Sequence, residues 1–275
     1  MAGMAALRRT EHGNNARQCT PSPLGRRLMN LPDLPLLSAV CRLPAAVAQL
    51  AVRLLPGCCA LCGNAAASPF CARCRRYAMN AGPCCRVCAC ALAVPAPACG
   101  RCLAQPPAYD VSVAATRYAP PVDLLVQALK FRAQLPLAQA FAELLLQAIA
   151  EDPGVIGDLV IAVPLSAERL AERGFNQAQE IAKPLARALH LPLAGDACVR
   201  VRDTLPQSGL APADRRDNMR GAFAIMRRPA IAGRRVLVVD DVMTTGHTLD
   251  ALAACLKRHG AASVTNLVVA RTPLR

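Results

Sequence analysis

The sequence predicts an α/β domain built on a mostly parallel sheet, preceded by a small segment that a metal holds together. Three observations carry this expectation. From Tyr109 onward, short apolar strands alternate with helical stretches; eleven of the 15 cysteines fall between Cys58 and Cys102; and one apolar strand runs into two carboxylates followed by a Thr-Thr-Gly turn. Strands apolar throughout and separated by helices belong to parallel sheets covered on both faces. Such sheets bind ligands outside the carboxyl ends of their strands.

Composition bounds the reading further. Of 275 residues, 54% are hydrophobic and 18% charged, which excludes wholesale disorder. The net charge of +14 invites a nucleic-acid reading, but its location matters more than its size. Residues 1–57 carry seven Arg against Glu11 and Asp33, residues 58–107 five Arg and no acid, and residues 108–275 twenty basic against sixteen acidic groups. The basicity belongs to the first hundred residues. No uninterrupted apolar run approaches membrane length; Leu43–Val52 is bracketed by Arg42 and Arg53 and interrupted by Pro44 and Gln49. No membrane span is expected, since a helix needs about 20 apolar residues to cross a bilayer. Clustered cysteines without a signal-peptide pattern favour a cytoplasmic placement over a secreted disulfide framework.

Residues 1–33 read as a mobile basic tail; their Arg-rich, acid-poor start also fits an organellar transit peptide, without its Ser enrichment. Residues 34–57 read as an amphipathic helical segment, with Val47, Leu50 or Ala51, and Leu54 at helical spacing and Pro56-Gly57 as the stop. Residues 58–107 hold the cysteine pairs. In residues 108–275, strands are expected at Val111–Thr116, Asp158–Val163, Val236–Asp240 and Val264–Ala270. Helices are expected at Val122–Phe131, Leu137–Ala150, Ala167–Leu189 (despite Pro184) and Thr248–His259, the last closed by Gly260.

The cysteines form four pairs: Cys59 with Cys62, Cys71 with Cys74, Cys85 with Cys88, and Cys99 with Cys102. Zn²⁺ takes four thiolates in a tetrahedron, and each Cys-x2-Cys turn supplies two, so the four pairs make two structural zinc sites. The stretch has several prolines and little apolar material, and metal would supply the folding energy a core cannot. A redox dithiol is the other reading of one such pair, less apt for four in tandem. Cys58, Cys84 and Cys90 exceed the eight ligands, and Cys58 or Cys84 could replace a neighbour.

The sharpest site is Val236–Thr248. Asp240 and Asp241 close a strand, and Val242, Met243, Thr244, Thr245, Gly246, His247 and Thr248 turn into a helix. Backbone N–H groups of such a turn cradle a phosphate dianion, with Gly246 permitting close approach and the threonines adding hydroxyls. Carboxylates beside a phosphate need another partner, and ribose hydroxyls are the natural one; the unit reads as a ribose-5-phosphate site. An Asp before a helix is otherwise an ordinary N-cap. No G-x-x-x-x-G-K-[ST] motif is present, which disfavours ATP hydrolysis of that kind.

The acid-acid-x-x-Thr-Thr-Gly-x-Thr run resembles the phosphoribosyl-diphosphate (PRPP) loop of type I phosphoribosyltransferases. Together with Val163-Pro164-Leu165-Ser166, Glu168–Gln177, Arg202-x-Thr204-x-x-Gln207, Arg216-x-Asn218, Gly221–Phe223 and the upstream cysteines, the chain resembles the ComF family over about residues 40–275. The resemblance implies a phosphoribosyltransferase fold after a double zinc ribbon. It implies that Asp240 and Asp241 hold the ribose hydroxyls and 242–248 the 5′-phosphate. Val163, Pro164, Leu165 and Ser166 would form a pyrophosphate loop with a strained backbone, flanked by Arg173, Asn176 and Gln177. Mg²⁺ with PRPP would be the cofactor pair.

Arg200, Arg202, Arg215, Arg216 and Arg220 bracket Pro206–Pro212, either as a solvated face or as a lid over departing pyrophosphate. His190, His247 and His259 are expected to be structural, leaving no evident general base. Two functions follow: a Mg²⁺- and PRPP-dependent transferase with an open acceptor, or a non-catalytic PRPP or nucleotide sensor whose ribbons contact DNA or a protein. ComF relatives are associated with DNA uptake in competent bacteria, which the resemblance extends here as context. A purely structural zinc scaffold is a weaker third.

Overall fold

The computed structural model describes residues 57–79, 82–201, 221–227 and 230–273. The expected tail, nearly all of the helical segment 34–57, and the loop from Arg202 to Arg220 lie outside the described residues. The described part falls within one unit, Pro56–Arg275.

The chain opens with two short antiparallel strands, β1 (Gly57–Cys58) and β2 (Ala65–Ala66), and a helix α1 (Ala72–Ala78). A second cysteine-rich turn leads to α2 (Gly100–Ala104). The α/β body follows with β3 (Val111–Arg117), α3 (Val122–Arg132), α4 (Pro136–Ala150) and β4 (Leu159–Ala162). Next come α5 (Ala167–Arg173), α6 (Gln177–Leu189) and an antiparallel pair, β5 (Cys198–Arg200) with β6 (Phe223–Ile225). The chain closes with β7 (Arg235–Met243), α7 (His247–Arg258) and β8 (Ser263–Arg271).

Strands β3, β8, β7 and β4 lie side by side in that order, every pairing parallel. Val239 stands opposite Ala162 on one side and Leu267 on the other, so the carboxyl ends of β4, β7 and β8 share one edge. Apolar strands in the middle of such a sheet must be covered twice. On one face, Leu129, Phe141, Leu145, Ile181 and Leu185 of α3, α4 and α6 pack against Leu237, Val239 and Leu267. On the other, Leu249, Leu252 and Leu256 of α7 pack against Val236, Val238 and Val268.

The cysteine-rich segment divides between these faces. Phe70 and Ala78 join the first core, whereas Cys85, Cys88, Cys90 and Cys102 join the second beside Tyr109. Apolar material too sparse for an independent core is therefore buried against the body.

Three features differ from expectation. The helix expected over 167–189 is two: Gly174 adopts φ +78° and closes α5, and Asn176 caps α6 by accepting from the amides of Ala178 and Gln179. Pro184 is accommodated within α6. Strand β7 continues past Asp240 to Met243, because β8 is long enough to pair with it there. The β5–β6 pair, at the base of the arginine-bracketed loop, had no sequence pattern long enough to announce it.

Candidate functional site

The acid pair lies within β7, with Asp240 opposite Val268 of β8. Asp241 is buried and pairs at 2.8 Å with the Lys130 ammonium at the end of α3. Local bonds fix the turn of the chain: the Asp241 amide donates to Asp240 Oδ1 at 2.9 Å and the Val242 amide to Asp241 Oδ1 at 2.7 Å. Burial first, and the Asp241 charge second, push the Asp240 carboxyl up to about 8, against a pull downward from Lys130. Asp241 thus has a charge partner, while Asp240 is held toward its protonated form.

Three residues beyond β7, Gly246 caps α7 without any side-chain hydrogen bond to the helix N-terminus. The amides of the first turn keep their capacity to meet an anion, and the twelve-residue helix directs its positive end there. Asp250, the acid of that first turn, is turned aside to accept from the Ala108 amide at 2.6 Å. Thr245 Oγ1 and His247 Nδ1 share a hydrogen bond of 3.1 Å, which fixes the His247 ring. Gly246 has φ +86°, and a Cβ there would stand 2.8 Å from Met243 Cε and 3.0 Å from the Tyr109 hydroxyl. Its need for glycine therefore comes from the crowding beneath the loop as well as from its left-handed backbone.

Segment 163–166 is brought beside the acid pair by the sheet: the Val163 amide donates to Val239 O at 2.9 Å. Asn176 Nδ2 donates to Val163 O at 3.0 Å, so Asn176 ties this turn to α6 with one end of its amide and caps the helix with the other. Ser166 is buried and accepts from the Arg169 amide as the cap of α5. The strained backbone implied for this turn is absent: all of 163–166 has negative φ and trans peptides, because an extended Ser166 cap is enough to turn β4 into α5. Arg173 stacks 5.4 Å from the Phe131 ring and donates to Gln177, which is buried. Burial lowers the Arg173 pKa, opposed by attraction to Asp241. A cavity of about 190 Å³ beside it is lined by Lys130, Phe131, Ala133, Glu172, Arg173 and Phe175.

The cysteines gather into two clusters. The sulfurs of Cys59, Cys62, Cys71 and Cys74 lie within 4.8 Å of one another, as do those of Cys85, Cys88, Cys90 and Cys99. A tetrahedron of thiolates at ~2.3 Å from one ion separates its sulfurs by about 3.8 Å. The observed pairs Cys62–Cys71 at 3.9 Å and Cys88–Cys99 at 3.7 Å fit that spacing. Amides point at the sulfurs in both: Cys71 N to Cys59 at 3.4 Å, and Cys99 N to Cys85 at 3.2 Å. Against the upward effect of burial, such donors bring Cys59 to about 6, and the Cys90 amide and neighbouring thiols bring Cys88 to about 6. Each cluster can hold a metal ion. Cys102 also faces Cys88 and Cys99, so five thiols surround the second position, and Cys90 is the one the pair spacing did not include. Cys58 and Cys84 stand outside both clusters.

The model of the phosphoribosyl transferase domain matches residues 176–274. The chain is 36% identical over 228 residues to DNA utilization protein YhgH of Escherichia coli O157:H7, spanning 79% of this chain and 98% of that one. The chain belongs to the ComF family. Competence protein F of Haemophilus influenzae is 34% identical over 70% of this chain and 85% of its own, and competence protein ComFC of Bacillus subtilis 34% over 42% and 45%. Among solved structures, the B. subtilis glutamine PRPP amidotransferase complexed with ADP and GMP is similar with TM-score 0.32 and 22% identity, over 47% of this chain and 25% of that chain.

In this ComF chain the site contains residues that sequence reasoning passed over. Lys130 lies in the last turn of α3, where a cation suits the helix dipole, and nothing in its local sequence marks it. Only the packing of α3 on the sheet reveals its contact with Asp241. Phe131 and Tyr109 gave no periodic signal of their own.

The charge state of Asp240 has a measurable consequence. Its folded value near 8 lies above the ordinary 3.8, so this group's contribution to stability is full at acid pH and falls as pH rises from about 4 to 8. Asp240→Asn removes that loss. Thermal unfolding is expected to show the variant melting several degrees above wild type at pH 8 and level with it near pH 4; equal Tm values at pH 8 would refute the assignment.

Proposed function

We propose that this ComF protein binds PRPP at the carboxyl edge of its sheet and transfers or senses the phosphoribosyl group. The observation that carries the reading is the N-terminus of α7, without a side-chain cap at Gly246 five residues beyond the buried Asp241 of the acid pair, beside the β4 turn. Amides of 244–248 would take the 5′-phosphate and Asp240 with Asp241 the ribose hydroxyls. Arg173, drawn to Asp241 and open to the neighbouring cavity, would meet the pyrophosphate. Mg²⁺ bound with PRPP would stabilise charge on departing pyrophosphate. For this the chain would supply orientation: Lys130 must share or release Asp241 when the ribose arrives, and Asp240 must give up the proton that burial favours. Val163, Asn176 and Gln177 serve by holding the β4 turn and Arg173 in place.

Calorimetry with PRPP and Mg²⁺ is expected to show binding by wild type and a loss of at least tenfold in Asp241→Asn, the scale of one charge-assisted interaction of about 1.5–3 kcal/mol. Absence of heat with wild type overturns both the transferase and the sensor. Release of pyrophosphate during a screen of nucleobases and amines then distinguishes them.

The metal in the cysteine clusters is proposed to be zinc, for which four thiolates at tetrahedral spacing are the usual structural set. Metal analysis of the purified chain should return about two zinc ions, and Cys62→Ser about one. A folded, zinc-free protein rejects this.

A second reading, contact of the first ribbon with DNA, has one specific support. Helix α1 carries Arg73, Arg75 and Arg76 with no acid in its first turn, and Tyr77 beside them is 76% exposed. Phe70 is buried and offers no stacking surface. Binding of a labelled single strand is expected to weaken steeply with salt, at a slope of roughly −0.7 per phosphate contact. Arg73→Ala/Arg76→Ala should flatten that slope; an unchanged slope excludes α1 as the surface.

A further inference from the structure

Arg271 ends β8 and is 3% exposed. Its Nε donates to the carbonyl of Cys88 at 2.8 Å. Its Nη1 donates to the carbonyls of Met243 at 2.9 Å and Thr272 at 2.8 Å, and also to that of Thr244. One guanidinium therefore grips the turn of the second cysteine cluster at one end and the entry to the phosphate loop at the other.

The charge on Arg271 has no carboxylate partner among the described residues, and its Nη2 is buried without a hydrogen bond. A buried cation of this kind requires a counter-charge nearby. Four thiolates around Zn²⁺ carry a net −2, and the cluster to which Cys88 belongs is the adjacent source. An emptied, protonated cluster would leave the guanidinium unbalanced and loosen its hold on the carbonyls of Cys88, Met243, Thr244 and Thr272. Tyr109 adds a second tie: it is buried in the same core as Cys88 and Met243, with its hydroxyl beneath Gly246. A cavity of about 210 Å³ there is lined by Arg101 and Gln105 of the ribbon together with Thr245 and His247 of the loop.

We propose that the second cysteine cluster sets the shape of the phosphate loop through Arg271, so that metal at the cluster and a sugar phosphate at 244–248 bind with positive linkage. Arg271 is then a positioning residue that touches neither ligand. The inference rests on the proposed sugar-phosphate site, and the experiment separates the two.

Equilibrium zinc affinity of the second cluster is measured by chelator competition on the full chain in a Cys62→Ser background, with and without ribose 5-phosphate. The expected result is about tenfold tighter zinc with the sugar phosphate, within the usual range of coupling, and equally tighter sugar phosphate with zinc. Arg271→Met should bind both ligands without mutual effect. Arg271→Lys, which keeps the charge but cannot span both ends, serves where the Met variant fails to fold. Bound ribose 5-phosphate that leaves zinc affinity unmoved, or that moves it equally in the Arg271 variants, overturns the linkage. If ribose 5-phosphate does not bind, the sugar-phosphate reading falls, and amide exchange over 243–249 decides the linkage: faster in Cys99→Ser but not in Cys62→Ser supports it, and no change in either overturns it.

Discussion

The parallel pairing of β7 with β4 on one side and β8 on the other is the constraint from which the site follows. Parallel strands deliver all their carboxyl ends to one edge. Val239 pairs with Ala162 and Leu267, so Asp240, the β4 turn and Arg271 emerge within a few residues of one another although they lie up to about a hundred positions apart in the chain. Antiparallel pairing of any one strand would send its terminal loop to the opposite edge. Helices near that edge then decide which charges reach the acids: α3 supplies Lys130 and α5 supplies Arg173.

The edge so formed is electrostatically unfavourable in itself. Asp240 is pushed upward by burial, Asp241 pairs with Lys130, and Arg271 is surrounded by carbonyls with no carboxylate partner among the described residues. Buried charges of this kind do little for stability and are retained where binding or positioning needs them. The ribbons contribute to the same problem from two directions. The first packs on the face shared by α3, α4 and α6, the second on the face of α7, and among the described residues it is the second that reaches the phosphate loop. Two clusters of like composition thus have different neighbours.

Much of this arrangement was legible in the sequence. Apolar runs flanked by helical stretches are enough to specify a doubly covered parallel sheet, and Cys-x2-Cys spacing anticipates all four sulfurs of the first cluster and three of the four in the second. What the sequence withheld has physical causes. The break at Gly174 and Asn176 was signalled by a C-cap glycine and an N-cap asparagine, but the apolar periodicity on either side read through it. Cys90 joined a cluster because its turn folds back, with the Cys85 amide donating to the Cys90 carbonyl, a closure that spacing alone does not encode. Lys130 and Arg271 meet their partners across 111 and 183 positions, and no local pattern reports such contacts.

The net charge of +14 also changes meaning once the folded arrangement is known. Two loaded four-thiolate clusters would each carry −2, which brings the chain to about +10 and residues 58–107 from +5 to about +1. Charge near a loaded cluster is then largely balanced within the ribbon itself, and Arg271 shares in that balance. The cations that remain able to act at a distance are those away from the clusters or pointing outward. Lys130 and Arg173 at the acid pair belong to that set in a special way, because they line one cavity, where a modest charge would act on an anionic ligand more strongly than on an open surface. The basic total is consistent with many partners; the selective element is where two cations, the half-buried Asp240, the buried Asp241 and a helix N-terminus without a side-chain cap converge.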